Sequence, residues 1–294
     1  MRFFSKLHPA VEFIFFVLVI VITAFTNNPV IIGMSFFFAL SFCLFSVGAK
    51  KLFSSLLGAL PLMAVIALIN PLFVHKGETI LFFLNDNPVT KEAVLYGVSS
   101  SVMLAAVYYW CKAYNEIVTS DKFIYLFGRF SPKLALLLSL IIGFVPKLKR
   151  KYKEIDEAQK TLGVYSSGGG IVDKLAGKFR VLSILLTDAL ESSVCTADGM
   201  QSRGYGLKGR TAYSPYTFTP YDFKSLLLIL ITGISTVALF ILKVGRFVYY
   251  PTMSALGFGI KECVLYVCAF GVFAFPTIIE IKEEIGWNCL RSKI

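Results

Sequence analysis

Charge is what this 294-residue sequence has least of: Asp, Glu, Lys and Arg supply 16% of it, against about a quarter in ordinary soluble domains. Histidine is rarer still, with only His8 and His75. The six cysteines are scattered and form no Cys-x-x-Cys pair. Metal ligation needs such side chains clustered at close spacing, so neither a metal centre nor a disulfide framework is expected. A phosphate-binding loop is missing too. Gly168-Gly169-Gly170 before Lys174 and Gly206-Leu207-Lys208-Gly209-Arg210-Thr211 both lack the required spacing between the glycines, the Lys and the hydroxyl residue. No Asp, Glu or His sits midway in an apolar run, where a proton-coupled carrier would place one. Glu12 and Lys243 lie towards the ends of theirs. No catalytic constellation and no bound cofactor are expected in this chain.

Hydrophobic residues make up 56% of the sequence and gather into runs near bilayer-spanning length. The net charge of +11 invites a nucleic-acid reading. The aromatics, chiefly 28 Phe, lie mostly inside apolar runs, however, and not on a basic polar face. A membrane protein carries basic loops in any case, so no nucleic-acid partner is expected. The fold class is an all-α integral membrane protein with about six transmembrane helices, at roughly 9–25, 29–47, 56–73, 93–110, 223–242 and 263–281. A signal peptide is the rival for the first run, but no small-x-small cleavage site follows and a second apolar run begins at Pro29. The shorter run at 134–145, bracketed by Pro132 and Pro146, reads as a buried or re-entrant helix. Three regions result: 1–110 with N-terminal membrane helices, 111–222 as a basic insert, and 223–294 with the last spans.

With the N-terminus inside, only Lys76, Lys91, Lys243, Arg246 and Lys261 fall outside or at outer span ends, which leaves 24 of the 29 basic residues on the cytoplasmic side. Arg2, Lys6 and the short Lys50-Lys51 loop carry that inference, since long loops weigh less. Both termini and the 111–222 insert are therefore expected in the cytoplasm of a multi-pass cell-membrane protein.

Between Lys147 and Lys224 the insert holds 13 basic and 8 acidic residues. Leu148, Tyr152, Ile155, Ala158 and Leu162 recur at helical spacing, opposite Lys149, Lys151, Lys153, Glu154 and Glu157. Gly163 and Ser166-Ser167-Gly168-Gly169-Gly170 end that helix. A second seam follows at spacings of 3 and 4: Val172, Leu175, Phe179, Leu182, Leu186 and Ala189. Its continuation meets Ser193, Thr196, Met200 and Arg203, where smaller side chains permit close helix approach. Two long amphipathic helices packing on one another are expected, with a helix lying on the membrane surface as the bland alternative. Arg203-Gly204 is either a local helix cap or a cation offered to a partner's carboxylates and carbonyls.

Several segments, in this order, carry a resemblance: Asn70-Pro71, Asp121-Lys122-Phe123-Ile124-Tyr125-Leu126-Phe127, Phe144-Val145-Pro146, Glu157-Ala158-Gln159, and Met200-Gln201-Ser202-Arg203-Gly204-Tyr205-Gly206. The sequence resembles the transmembrane coupling subunit, EcfT, of energy-coupling factor transporters, also described as the CbiQ-type cobalt transport family. The resemblance implies two cytoplasmic coupling helices, each ending in an Ala-Arg-Gly-like motif that docks on one of two cassette ATPase subunits. The second motif falls on Ser202, Arg203 and Gly204. The first falls on Thr161, Leu162 and Gly163, where Leu162 replaces the family's usual Arg. ATP and Mg would then belong to the partner subunits, and a small membrane subunit would hold a vitamin or transition-metal substrate. Two other classes remain compatible with the residues: a polytopic membrane enzyme acting on a phosphorylated or lipid-linked substrate, and an ion-coupled secondary transporter.

Overall fold

The computed structural model describes residues 4–74, 77–84, 87–163, 171–207, 216–255 and 257–291. The chain divides into two compact units, one of Met1–Phe123 with Tyr216–Ile294 and the other Ile124–Pro215. The division falls inside the expected 111–222 insert, so its first dozen residues belong with the membrane helices.

The first unit is a helical bundle. Its helices are α1 (Pro9–Phe25), α2 (Pro29–Val47), α3 (Ala49–Phe73), α4 (Lys91–Ile117), α8 (Pro220–Ile241) and α9 (Ile260–Arg291). Between the units the chain forms α5 (Ser120–Phe130), and the second unit contains α6 (Pro132–Thr161) and α7 (Ile171–Ser202). Five helices, α2, α3, α4, α8 and α9, are long and apolar enough to cross a membrane. The sixth expected span, α1, has 17 residues, the lower edge of the spanning range of about 17–25. Proline sets several of the starts: Pro9, Pro29, Pro132 and Pro220 each follow a cap residue and begin a helix. At that position the missing N–H costs nothing and the fixed φ is already helical. A β-hairpin of β1 (Ile80–Leu84) and β2 (Asn87–Thr90) joins α3 to α4, a short element the all-helical reading did not include.

Proline misleads at 146. The run 134–145 is not a separate short helix; it is the first half of the 30-residue α6, which continues through Pro146. An interior proline removes one backbone hydrogen bond and crowds the preceding turn. Here that penalty does not break the helix, just as Pro61, Pro71 and Pro276 leave α3 and α9 continuous.

The bundle core is aromatic. Phe15, Phe16, Phe42, Tyr109, Trp110 and Phe273 are fully buried, with Trp110 stacked on Phe273 at 6.4 Å. Some polar atoms inside it pair with one another: Trp110 Nε1 donates to Ser35 Oγ at 3.0 Å, and the Ser35 hydroxyl lies 2.7 Å from that of Thr23, whereas the buried Tyr109 hydroxyl has no hydrogen-bond partner among the described residues. In an apolar medium these bonds fix the mutual rotation of α1, α2 and α4, because every alternative leaves a polar group unpaired. Close approach also needs Gly97 of α4, where a Cβ would stand 2.6 Å from the Ala67 carbonyl and 3.3 Å from Asn70 and Pro71 of α3.

The N-terminal segment ties the roots of the insert to the bundle. Lys122 Nζ donates to both oxygens of the fully buried Glu12, at 2.6 and 2.9 Å, and to the Ser5 carbonyl at 2.6 Å. On the returning strand, Asp222 closes a capping box with Thr219 and accepts the His8 N–H at 3.0 Å. The chain is thus held at residue 122 as it leaves the first unit and at residue 222 as it comes back.

Candidate functional site

The second unit is built around α6 and α7, which run antiparallel. Lys147 Nζ donates to Ser192 Oγ at 2.8 Å, and Lys151 Nζ meets Asp188 Oδ1 at 3.4 Å. As numbering rises along α6 it falls along α7. The two bonded pairs therefore centre near residue 149 on one helix and 190 on the other, at the start of the small-residue stretch of α7. Farther along, Gly128 of α5 brings α5 and α6 together, a Cβ there standing 3.2 Å from Ala135 Cβ.

The two helices end alike. At the C-terminus of α7, the Gly204 N–H donates to the Gln201 carbonyl and the Tyr205 N–H to that of Met200, both at 2.9 Å. Gly204 has φ +81°. This is a Schellman cap, with Arg203 as the last helical-side residue and Gly204 in the left-handed conformation that glycine adopts without strain. At the end of α6, the Leu162 N–H donates to the Ala158 carbonyl and the Gly163 N–H to that of Lys160, both at 3.1 Å, and Gly163 has φ +70°. Leu162 and Arg203 consequently hold equivalent positions. The hydroxyls just before them turn back on their own helices: Thr161 Oγ1 donates to the Ala158 carbonyl at 2.8 Å and Ser202 Oγ to that of Gly199 at 3.0 Å. One turn upstream, Asp156 holds Lys160 Nζ at 2.5 Å and so keeps that ammonium's pKa above its ordinary value.

The backbone thus satisfies the terminal carbonyls without the guanidinium. Arg203 is exposed and makes no bond to any described residue, so the local-cap reading finds no support in the geometry. Leu162 is 73% exposed, an apolar side chain presented where its counterpart presents a cation. Each end lies about 13 residues, or about 20 Å, beyond the contact centre of its helix. Because the helices are antiparallel, the two ends point in opposite directions from that centre.

The face by which α6 and α7 meet differs from the expected one. On α7, Gly177, Val181 and Leu185 are buried, and the line continues through Asp188 and Ser192 at helical spacing. The expected seam is turned outward: Val172 is 78% exposed, Phe179 64% and Leu186 56%, with Leu175 and Leu182 exposed as well and Ala189 half-buried. On α6, Leu148 and Ile155 are half-buried as expected, but Tyr152, Ala158 and Leu162 are exposed. The physical reason is bulk. A line of Gly, Val, Leu, Asp and Ser, small at both ends, lets the two helices approach and bond, whereas the seam with Phe179 and three leucines would hold them farther apart.

These features acquire a family. The sequence matches the family described as "Cobalt transport protein", CbiQ, over residues 1–213. The chain belongs to the CbiQ family. Among its relatives is a protein of Streptococcus thermophilus named "Energy-coupling factor transporter transmembrane protein EcfT", 26% identical over 246 residues that cover 79% of this chain and 92% of the relative. A Macrococcus caseolyticus protein of the same name is 23% identical over 244 residues, covering 76% of this chain and 89% of its own length. One from Lactobacillus helveticus is 31% identical over 121 residues, 41% of this chain and 40% of that protein. The CbiQ match includes both helix ends and stops before α8.

Sequence reasoning missed Lys122 as a structural residue and the Gly177–Val181–Leu185 line as the packing face. Glu12 was a signal for the first, since an acid in an apolar run needs a partner. The second is hidden in composition, because the exposed seam of α7 is the more hydrophobic of the two.

Proposed function

We propose that this CbiQ-family protein is the coupling component of an energy-coupling factor importer. The observation that carries the reading is the pair of like-capped helix ends, Thr161-Leu162-Gly163 and Ser202-Arg203-Gly204, set at opposite ends of the antiparallel α6–α7 pair. That arrangement suits one helix end for each of two cassette ATPase subunits. The chain itself does no chemistry: ATP and Mg are bound and used in the ATPases, whose relative motion drags the two ends. Arg203 supplies a fixed fork of donors for carboxylates or carbonyls of one docking groove. Leu162 docks by burial of its side chain alone.

The outward seam of Val172, Leu175, Phe179, Leu182 and Leu186 then packs on a small membrane subunit that holds the substrate, a vitamin or a transition-metal cation. Exposed apolar faces of this size on a helix mark interaction surfaces. Both termini and the insert are cytoplasmic in this reading, as the distribution of basic residues requires.

The test is co-purification of the tagged chain from native membranes in mild detergent, wild type beside Arg203→Glu. Truncating or reversing a charged docking residue costs about 2–5 kcal/mol, so ATPase recovery is expected to fall more than about tenfold in the variant. Folding of the chain should be unchanged, because the exposed Arg203 makes no hydrogen bond or ion pair with any described residue. Equal recovery from both, together with wild-type uptake, would sink the docking role of Arg203. A chain recovered without any ATPase even after crosslinking would favour a membrane enzyme or an ion-coupled carrier.

A further inference from the structure

Helix α3 is the most exposed of the spanning helices, with only Ala59 and Pro71 of its 25 residues buried. Near its start, an open cavity of about 590 Å³ lies between it and α4. Lys51, Ser54 and Ser55 line one side, and Tyr108, Lys112 and Glu116 the other. Neither ammonium has an ion pair among the described residues. The Ser55 and Tyr108 hydroxyls stand 3.4 Å apart.

A second cavity of about 110 Å³ continues the first, sharing Gly58 and Tyr108 with it and otherwise apolar except for Ser101, with Ala59, Leu62, Ile66, Leu104 and Ala105 in its wall. From Gly58 to Ile66 it follows α3 for about 12 Å, most of the roughly 15 Å depth of one leaflet's hydrocarbon. Leu62 is 59% exposed and Leu104 45%, so the groove opens sideways towards the bilayer. Gly97, against the Ala67 carbonyl, closes it at the far end.

We propose that this groove binds a monoanionic phospholipid, its phosphate between Lys51 and Lys112 and one acyl chain along Gly58, Leu62 and Ile66. Hydroxyls of Ser54, Ser55 and Tyr108 add donors for the phosphate and glycerol oxygens. Glu116 offsets one of the two lysines, which leaves one net positive charge and fits a headgroup with one negative charge. Basic pockets between membrane helices recognise lipid headgroups in this way. The continuous apolar groove distinguishes a lipid from a free phosphate ester, which would have no use for it. Placement in the cytoplasmic leaflet rests on the orientation proposed above; the groove and its ligand class do not.

The test is native mass spectrometry of the full chain in mild detergent, titrated with phosphatidylglycerol or phosphatidylcholine of matched chain length. Wild type is expected to retain phosphatidylglycerol about fivefold better, the scale that one net positive charge near a headgroup supplies. The double variant Lys51→Gln/Lys112→Gln should bring the two lipids within about twofold of each other, and Lys51→Arg/Lys112→Arg should keep the preference. Gly58→Leu, whose Cβ would meet no neighbouring atom within 4 Å and whose side chain would occupy the groove, should lower retention of both lipids. A preference absent from wild type, or unchanged in the glutamine variant, would overturn the proposal. So would displacement of the lipid by millimolar glycerol phosphate, which would assign the pocket to a free phosphate ester.

Discussion

In the membrane bundle, Phe15, Phe16, Phe42 and Trp110 are fully buried; in the α6–α7 pair, Phe179, Leu182, Leu186 and Leu190 are all more than two-fifths exposed. The same kinds of side chain are spent on the interior in one region and held at the surface in the other. The bundle also pairs buried polar side chains with one another, as at Trp110–Ser35–Thr23 and Glu12–Lys122. The pair meets through two lysine contacts, one of them the partly exposed Lys151–Asp188 pair. Helix α6 buries no residue at all. A domain that had to stand alone would not leave its apolar side chains outside. The bundle thus has an aromatic core of its own, whereas the pair, in the proposed reading, keeps its apolar face for another protein.

The strongest way to break that comparison is to attack the bundle where it depends on a single partner. Lys122→Ala leaves the Glu12 carboxylate buried without its cation, and loss of one member of such a pair costs about 3–5 kcal/mol. Thermal unfolding of the purified chain should show it. Replacing both residues with apolar ones of similar size, Glu12→Leu with Lys122→Met, should recover most of the loss, since a buried ion pair contributes little beyond its own desolvation. A cost below about 1 kcal/mol for Lys122→Ala would mean that the roots of the insert are not held by this contact.

A smaller effect separates the two faces of α7. Val181→Asp places a charge on a buried position and should cost about 1–3 kcal/mol. Phe179→Asp, two residues away on the outward seam, should stay within about 0.5 kcal/mol in the isolated chain. Hydrogen exchange of the α6 and α7 amides reads the difference: faster exchange is expected in the first variant and not in the second. The reverse result would return the packing face to the more hydrophobic seam.

That contrast also marks where the sequence stops being legible. Apolar runs and X-Pro starts placed α1 and α2 at their observed bounds and α8 within three residues, because length and capping chemistry are local properties. Arg203 and Leu162 were visible as helix ends for the same reason, each followed by a glycine. Pro146 was misread because a proline that ends a helix and one that interrupts it look alike; packing and environment decide between them. The packing face of α7 was misread because periodicity finds the greasiest stripe and cannot tell whether it meets this chain or another. Lys122 was hidden by distance, since its partner lies 110 residues earlier.

The smallest effect is expected at the visible contact within the pair. Lys151 and Asp188 are 41% and 39% exposed, and water and salt screen an ion pair in that position, so Asp188→Asn should change unfolding by less than about 0.5 kcal/mol. Its value lies in selection: with Lys147–Ser192 it picks one register of two long helices, and register sets how far Leu162 and Arg203 stand from the contact. Reversing the pair, Lys151→Asp with Asp188→Lys, should therefore preserve ATPase recovery, while Lys151→Asp alone should reduce it through like charges. A loss above about 1 kcal/mol in Asp188→Asn would show instead that the pair is held by its internal contacts, as the bundle is. The division between a self-sufficient bundle and an unfinished interface would then fail at its weakest joint.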